Sequence, residues 1–370
     1  MPGFNRPARR DFLSSAVLAA ASIGLAGNSQ QLVAQSTSSS SPSKARKIKI
    51  GQIGTGHAHA SKLSVYRSSS DYEVVGAVEP DAELRRRAES QPLYQGLKWM
   101  SQAELLDTPG LDAVLVETRV RDLLATAYAC VSAGKHVHID KPAGESLPKF
   151  KAILDLAAKQ NLLVQMGYMY RYNPGVVLLK QFLKQGWLGE IFEIHTVMSK
   201  VIPKEGRPEL EEYRGGIMFE LGCHIMDLVI GVLGKPLSIA SYNLHSSRLT
   251  DSLLDNMLAV LSYPRATATV KTTCLEVDGG ERRHFVVCGT EGTFHIQPLD
   301  NPAVRVTLST PRGEYRKGYQ DIVLPKYTRY VDDAADMARI IRGEKETDFP
   351  YEHDLTVQTA VLQASGLPTS

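Results

Sequence analysis

From residue 47 onward the chain alternates short apolar runs with amphipathic stretches. Lys47-Ile48-Lys49-Ile50-Gly51 alternates polar and apolar side chains, as a strand entering a sheet does. Glu73-Val74-Val75-Gly76-Ala77-Val78 and Lys135-His136-Val137-His138-Ile139 repeat the signal, and Asp112-Ala113-Val114-Leu115-Val116 is an unbroken run suited to a strand buried on both faces. Helical stretches separate them. One follows the first strand to about Ser68, a second spans 122–133 with Gly134 as its stop, and a third is capped by Ser146 and runs to Gln160. Strands alternating with helices predict a parallel, doubly wound sheet. Ligands of such sheets bind at the carboxyl ends of the strands. That rule places Gly54, Glu79, Thr118 and Lys141 along one crevice.

The pattern then changes. Residues 176–185 read as a surface helix with Val177, Leu178, Phe182 and Leu183 apolar. Over 215–234, Met218, Leu221, Ile225, Leu228, Val229 and Val232 form a helical apolar stripe. Glu220, His224 and Asp227 stand at i, i+4 and i+7, so a regular helix presents them on one face. Alternating segments follow at 239–245, 257–262, 267–273, 283–287, 293–296 and 304–308, predicting an antiparallel sheet with helices on one face. Its other face needs a second subunit or the other domain, so a homodimer or homotetramer is expected. Helices are expected again at 329–342, with Asp332, Asp333 and Asp336 on a solvated face, and at 352–366. The fold class is α/β: an N-terminal doubly wound parallel sheet and a C-terminal α/β domain with a large, mostly antiparallel sheet.

Residues 1–46 follow a different rule. Arg9-Arg10-Asp11-Phe12-Leu13 precedes a run of small apolar residues, 16–27, the layout of a secretory signal. The paired arginines followed by Phe-Leu resemble a twin-arginine (Tat) signal. The run is too short and too rich in Ala and Gly for a comfortable membrane span. The expected organisation is a Tat signal peptide at 1–35, a Ser-rich linker at 36–46, a nucleotide-binding domain at 47–166 and a substrate and oligomerisation domain at 167–370. The Tat export machinery is then a partner, the destination is periplasmic or otherwise extracytoplasmic, and no stable membrane span remains after cleavage. With 43% hydrophobic and 22% charged residues over 370, the composition is that of a globular protein of about two domains. Six basic side chains and one acid fall within 1–47, which leaves the body mildly acidic and without the basic footprint of a nucleic-acid binder.

The chemistry-bearing residues sit at the strand ends. In Gly54-Thr55-Gly56 the first glycine permits a tight turn and the second lets the backbone approach a pyrophosphate at a helix N-terminus. The third position of that fingerprint is His59 rather than glycine. Glu79 ends the second strand, where a carboxylate accepts ribose hydroxyls and repels a 2′-phosphate, favouring NAD over NADP. Arg85, Arg86 and Arg87 read as a solvated helix face. The four cysteines lack metal-type spacing and read as buried thiols. His57 with His59, and His136 with His138, are His-x-His pairs without a Cys or carboxylate cluster to complete them, so no metal is expected. No Gly-x-Ser-x-Gly elbow is present.

Several of these segments together resemble the Gfo/Idh/MocA oxidoreductase family. They are Ile53-Gly54-Thr55-Gly56, Glu79, Ala133-Gly134-Lys135-His136-Val137 leading to Asp140-Lys141-Pro142, and Gly215-Gly216 leading to Gly222-Cys223-His224-Ile225-Met226-Asp227. The resemblance implies an N-terminal Rossmann domain and a C-terminal domain whose open sheet serves oligomerisation. It implies redox chemistry on a sugar, polyol or cyclitol hydroxyl with NAD(P). It assigns cofactor binding to Ile53, Gly54, Thr55, Gly56, His57, Glu79, Thr118 and Lys141. Substrate contact falls to Tyr170, Arg171 and His224, catalysis to Lys141, His224 and Glu220. His224 is the expected general base, and Glu220 orients it or binds a neighbouring hydroxyl. Lys141 is expected to stabilise alkoxide charge and, with its pKa lowered by burial and a nicotinamide cation, to share the proton transfer. The sequence departs from the family at Asp140, where Glu is usual, at Arg119, where Pro is usual, at Leu123 in place of a His, and at Glu220 in place of Asp. Two other readings stay open: an NAD-dependent glycoside hydrolase or lyase using transient oxidation, and a non-catalytic ligand-sensing or assembly protein, against which Lys141 and His224 speak.

Overall fold

The computed structural model describes residues 46–370; the expected signal peptide and all but the last residue of the linker lie outside these. Strands β1 (Ile48–Ile53), β2 (Tyr72–Val78), β3 (Ala113–Val116), β4 (His136–Ile139) and β5 (Val164–Met166) form a sheet of order β2-β1-β3-β4-β5. Every neighbouring pair is parallel. The chain steps from β1 outward to β2 and returns on the opposite side of β1 as β3. That reversal opens a crevice at the carboxyl ends of β1 and β3. All four side chains of β3 are fully buried, as its unbroken apolar run requires.

Helices α1 (Leu63–Ser68), α2 (Ala82–Glu89), α3 (Gln102–Leu106), α4 (Val120–Ser132) and α5 (Leu147–Lys159) connect these strands. The starts of α2, α3 and α5 are capped by short polar side chains. Asp81 accepts the amides of Glu83 and Leu84, Ser101 and Glu104 form a reciprocal capping box, and Ser146 accepts the Lys149 amide. Gly134 follows α4 with φ of 72°, the left-handed stop expected of it.

After α6 (Pro174–Lys184), the second sheet begins with β6 (Ile191–Ser199). It continues, beyond α7 (Arg207–Glu211) and α8 (Cys223–Leu233), with β7 (Ser238–Leu244), β8 (Asn256–Ser262), β9 (Thr267–Thr273), β10 (His284–Gly289), β11 (Gly292–Ile296), β12 (Val304–Leu308) and β13 (Gly318–Ile322). The order is β13-β12-β11-β10-β6-β9-β8-β7. Only the central pair β6–β9 is parallel. The sequence pattern located six of these eight strands and passed over β6 and β13. In β6, Glu193 and His195 point to the exposed face while Ile194 and Thr196 are buried, so its apolar content is only half-visible. β13 is a short polar edge.

Two expectations about helix faces are corrected. α6 is not merely a surface helix: Val176, Leu179 and Phe182 are buried, and the Phe182 ring packs edge-on against Trp187 and Phe294. α9 (Val331–Ile341) carries only Asp332 of its three acids in solvent. It returns to the first sheet, where the Tyr72 hydroxyl donates to the Ala334 carbonyl at 2.6 Å, and this packing buries Asp333 and Asp336. Burial pushes the Asp333 carboxyl up to about 7. Asp336 instead finds donors, accepting from Tyr172 at 2.9 Å and Lys345 at 2.8 Å. The last helix, α10 (Tyr351–Ala364), packs on α8 and α5.

Candidate active site

The loop after β1 passes very close to the loop after β3. Gly54 has φ of 91°, and a Cβ there would lie 2.4 Å from the Thr118 nitrogen. Only glycine allows that crossing. Beyond it, the Thr55 amide and hydroxyl donate to Glu79 Oε2 at 2.7 and 2.8 Å, and the Asp81 amide donates to Oε1 at 3.0 Å. The acid that ends β2 is thereby held against the glycine turn. Among the described residues, the amides of Gly56 and Ala58 have no protein acceptor. A cleft of about 600 Å³ runs past Gly54, Glu79, Trp99, Thr118 and Arg119. Free amides at the turn and a carboxylate beyond it fit a dinucleotide, with pyrophosphate at Gly56 and Ala58 and a ribose diol at Glu79. Ile53 is buried and contributes only backbone to this wall.

The end of β4 carries a buried charge cluster. Asp140 Oδ1 accepts from its neighbour's amide, Lys141 N, at 2.6 Å and lies 3.1 Å from His59 Nδ1; Oδ2 accepts from Lys62 Nζ at 2.5 Å. The same ammonium is 3.0 Å from Glu117 Oε1 and donates to His138 Nε2 at 2.8 Å. His138 in turn donates through Nδ1 to Gln165 at 2.9 Å. His57 donates through Nε2 to the Lys141 carbonyl at 2.9 Å. Burial opposes the charge on Asp140, but His57, Lys62 and His59 hold its carboxyl well below the usual range. Burial, reinforced by Asp140, holds Glu117 well above it. The pair is thereby biased toward an ionised Asp140 and a neutral Glu117 beside the Lys62 ammonium. Sequence reasoning missed Lys62, Glu117 and His138. The available signal was a lysine on the face of the first helix that carries Leu63 and Tyr66.

Lys141 is 2% exposed and aims its ammonium at a π-helical turn, Met218–Gly222, just before α8. Nζ donates to the Glu220 carbonyl at 2.7 Å and to Glu220 Oε1 at 3.4 Å. Lys200 Nζ is 3.5 Å from the other oxygen of that carboxylate. A π-turn interrupts the α-ladder and so leaves a carbonyl free for such use. Burial works against the charge on Lys141, but Glu220, Cys223 and Asp140 raise its pKa above the ordinary lysine value. These neighbours outweigh burial and favour the ammonium form of Lys141. Burial likewise opposes the Glu220 charge, yet Lys141 and Lys200 bring that carboxyl down to about 2.

His224 is 3% exposed and stands among the rings of Tyr170, His59 and Tyr168, at centroid distances of 5.2, 5.8 and 6.2 Å. Its Nδ1 is buried without a partner, and no hydrogen bond joins it to Lys141 or Glu220. Burial and the Lys141 charge keep it neutral. The three side chains expected on one face meet different partners. Glu220 turns to Lys141, His224 to the tyrosines, and Asp227 to Arg171.

Arg171 contradicts its expected role as a substrate ligand. Its guanidinium donates to both Asp227 oxygens at 3.0 and 3.1 Å and to Asp354 at 2.5 Å, and it stacks 4.0 Å from the Phe349 centroid. Buried and doubly paired, it fastens α8 to α10. Tyr170 donates its hydroxyl to Asp300 and shows His224 its ring. A pocket of about 260 Å³ is lined by Gly56, His57, Lys141, Lys200, Tyr213 and Glu220. A larger groove of about 700 Å³ lies between α4 and α5 and contains neither Lys141 nor His224; chemistry, not volume, locates the site.

Comparison with known proteins agrees on both halves. Residues 48–168 match the family described as "Oxidoreductase family, NAD-binding Rossmann fold", and residues 176–295 match the "GFO/IDH/MocA C-terminal domain". The chain belongs to the GFO/IDH/MocA family. It is an NAD(P)-dependent oxidoreductase. The uncharacterized oxidoreductase YhhX of Escherichia coli is 28% identical over 282 residues, which are 75% of this chain and 79% of its own length. The scyllo-inositol 2-dehydrogenase (NAD(+)) of Bacillus subtilis is 24% identical over 324 residues, 84% of this chain and 90% of its own. UDP-N-acetylglucosamine 3-dehydrogenase from Acidithiobacillus ferrooxidans shares the fold with a TM-score of 0.72 at 17% identity, over 87% of this chain and 97% of that one.

This GFO/IDH/MocA chain brings a carboxylate to His57 and His59 that the sequence pattern did not reveal, namely Asp140. Both its oxygens are already held, by Lys62 and by the Lys141 amide, so the cluster is built around an ammonium. The neutral histidines have a consequence for stability. Burial, the largest cause throughout, lowers His57 to about 4 and His138 to about 3, and it lowers His59 and His224 as well. In the unfolded chain these groups titrate near ~6.5. Below that pH the unfolded state takes up protons that the native state refuses, so this stability is complete above ~6.5 and is lost as pH falls toward about 4. The melting temperature is expected to drop steadily from pH 7 to pH 5 in scanning fluorimetry; a flat profile across that interval contradicts the neutral cluster.

Proposed function

We propose that the protein is an exported dehydrogenase or reductase acting on a hydroxyl of a sugar, polyol or cyclitol, with NAD(H) in preference to NADP(H). One observation supports this reading: Lys141, at the carboxyl end of β4, donates to the Glu220 carbonyl just before α8, the helix that carries the buried, neutral His224. The nicotinamide, when bound, supplies the hydride chemistry. The protein supplies charge and proton handling. Lys141 donates a hydrogen bond to the reacting oxygen and stabilises the negative charge that develops there. His224, kept neutral, accepts the proton. Glu220 holds Lys141 charged and aimed. Relatives named as inositol and UDP-N-acetylglucosamine dehydrogenases support a ring hydroxyl as the target. Arg9 and Arg10 support export by the Tat route, and the uncovered sheet face supports a homodimer or homotetramer.

The test is turnover of NAD+ with myo-inositol, scyllo-inositol, D-glucose and N-acetyl-D-glucosamine, read by nicotinamide absorbance. NADH formation with at least one is expected; failure of the protein to bind NAD+ or NADP+ overturns the reading. Cofactor choice has its own test. Glu79→Ala removes a charged hydrogen-bond acceptor worth about 1.5–3 kcal/mol. NAD+ affinity is expected to fall roughly 10–100-fold, with NADP+ affinity unchanged or improved by calorimetric titration. Equal loss for both nucleotides contradicts a ribose role for Glu79.

A further inference from the structure

We propose that His59, held by Asp140, is the proton-relay residue that carries a proton between His224 and solvent. This rests on the reading above, in which His224 accepts the substrate proton.

A buried base must pass its proton on. His224 sits in an environment that disfavours imidazolium, walled by tyrosines on one side. Burial raises the pKa of both Tyr168 and Tyr170, and the Tyr170 hydroxyl is committed to Asp300, so neither ring offers an exit. The one other imidazole against His224 among the described residues is His59, 5.8 Å away between centroids. His57 cannot take its place. His57 Nε2 donates to the Lys141 carbonyl, and His57 Nδ1 receives the His59 amide at 3.2 Å.

His59 is built for the task. Asp140 is ionised and can only accept, so the 3.1 Å contact fixes a hydrogen on His59 Nδ1 and leaves the lone pair on Nε2. Nε2 has no hydrogen-bond partner among the described residues, and the side chain keeps 15% exposure, the route to solvent. Asp140 cannot swing away, because Lys62 and the Lys141 amide hold its two oxygens. Tyr330, at φ of 68°, covers the group: its ring lies 5.9 Å from His59 and 5.5 Å from Lys62 Nζ. The charged groups facing His59 are therefore Asp140, which favours imidazolium, and Lys141 and Lys62, which oppose it. Burial, the largest influence, keeps His59 neutral at rest, and Asp140 stabilises a transient cation there. The proton leaves the substrate oxygen for a His224 nitrogen, passes to the His59 Nε2 lone pair as the N–H bond on His224 breaks, and is released to water; no oxidation state changes in the relay. The same feature accounts for a histidine at the third position of the glycine fingerprint.

The experiment uses the full protein with NAD+ and whichever of the four polyhydroxyl probes the wild type oxidises. His59→Ala is expected to lower kcat roughly 100-fold, with NAD+ affinity within about twofold of wild type, and added imidazole is expected to restore the rate with a pH dependence set by the added base. Loss of rate that imidazole does not restore, or kcat within about twofold of wild type, overturns the relay. A second readout needs neither a foldable variant nor turnover. Nitrogen-15 NMR of the histidine side chains in the wild-type protein is expected to show His59 as the Nδ1–H tautomer at neutral pH; the Nε2–H tautomer overturns the proposal. Should the wild type oxidise none of the probes while NMR shows the Nδ1–H tautomer, the dehydrogenase reading fails and the His59–Asp140 pair stands.

Discussion

Lys141→Met is expected to reduce kcat/KM by roughly 10³-fold or more while leaving NAD+ binding nearly intact. The side chain's length and apolar stem are kept, so packing against the π-turn changes little. What is lost is the buried ammonium aimed at the reacting oxygen, and removing one preorganised donor of this type costs on the order of 10²–10³ in rate. Removal also strands Glu220, whose carboxylate would keep only Lys200 at 3.5 Å as a cationic partner. Lys141→Arg keeps the charge but brings a planar fork to a site shaped for a point charge, and it is expected to recover only part of the activity. Steady-state kinetics with a parallel NAD+ titration separates the two terms. A Lys141→Met enzyme within tenfold of wild type contradicts the assignment.

Lys62→Met is expected to be the most destabilising single change near the site, by about 3–5 kcal/mol. The ammonium is fully buried and, among the described residues, is the sole cation in contact with Asp140 Oδ2. Without it a buried carboxylate loses its compensation, and His138 Nε2 loses its donor. Glu117 behaves differently. Burial and the neighbouring Asp140 favour its neutral form, so Glu117→Gln, an isosteric neutral group, is expected to cost less than about 1 kcal/mol. Urea denaturation of the two variants distinguishes this arrangement from one in which both acids are ionised, where Glu117→Gln would change stability strongly. A small effect of Lys62→Met contradicts the buried pair outright.

These two predictions differ in how far the sequence alone reaches them. Lys141, Gly54 and Glu79 were legible because each follows an apolar strand within a few residues, and the strand-end rule places them together without knowledge of distant contacts. Lys62 was not. It stands between Ser61 and Leu63, and its partner Asp140 is 78 residues away. A lysine beside apolar residues normally snorkels to solvent, and only the tertiary fold shows that it does not. The same limit hid the burial of Asp333 and Asp336, since helix α9 reads as amphipathic until it docks on the first sheet. Arg171 was misassigned because an arginine among tyrosines suggests a ligand wall, whereas Asp227 and Asp354 arrive from two later helices to occupy it. Helical spacing put Glu220, His224 and Asp227 on one face; the π-turn at Met218–Gly222, invisible in the apolar stripe, takes Glu220 out of that spacing, while His224 and Asp227 stay three residues apart on α8. Strand β6 was missed because its polar residues, Glu193, His195, Thr196 and Ser199, do not keep a strict alternation with its apolar ones.

The most direct measurement is a crystal structure of the protein with NAD+ bound. It is expected to show the Glu79 carboxylate hydrogen-bonded to the adenosine ribose, and the Lys141 ammonium and His224 imidazole both facing the nicotinamide end of the crevice. A dinucleotide bound with its ribose away from Glu79, or with its nicotinamide remote from Lys141 and His224, contradicts the site described above.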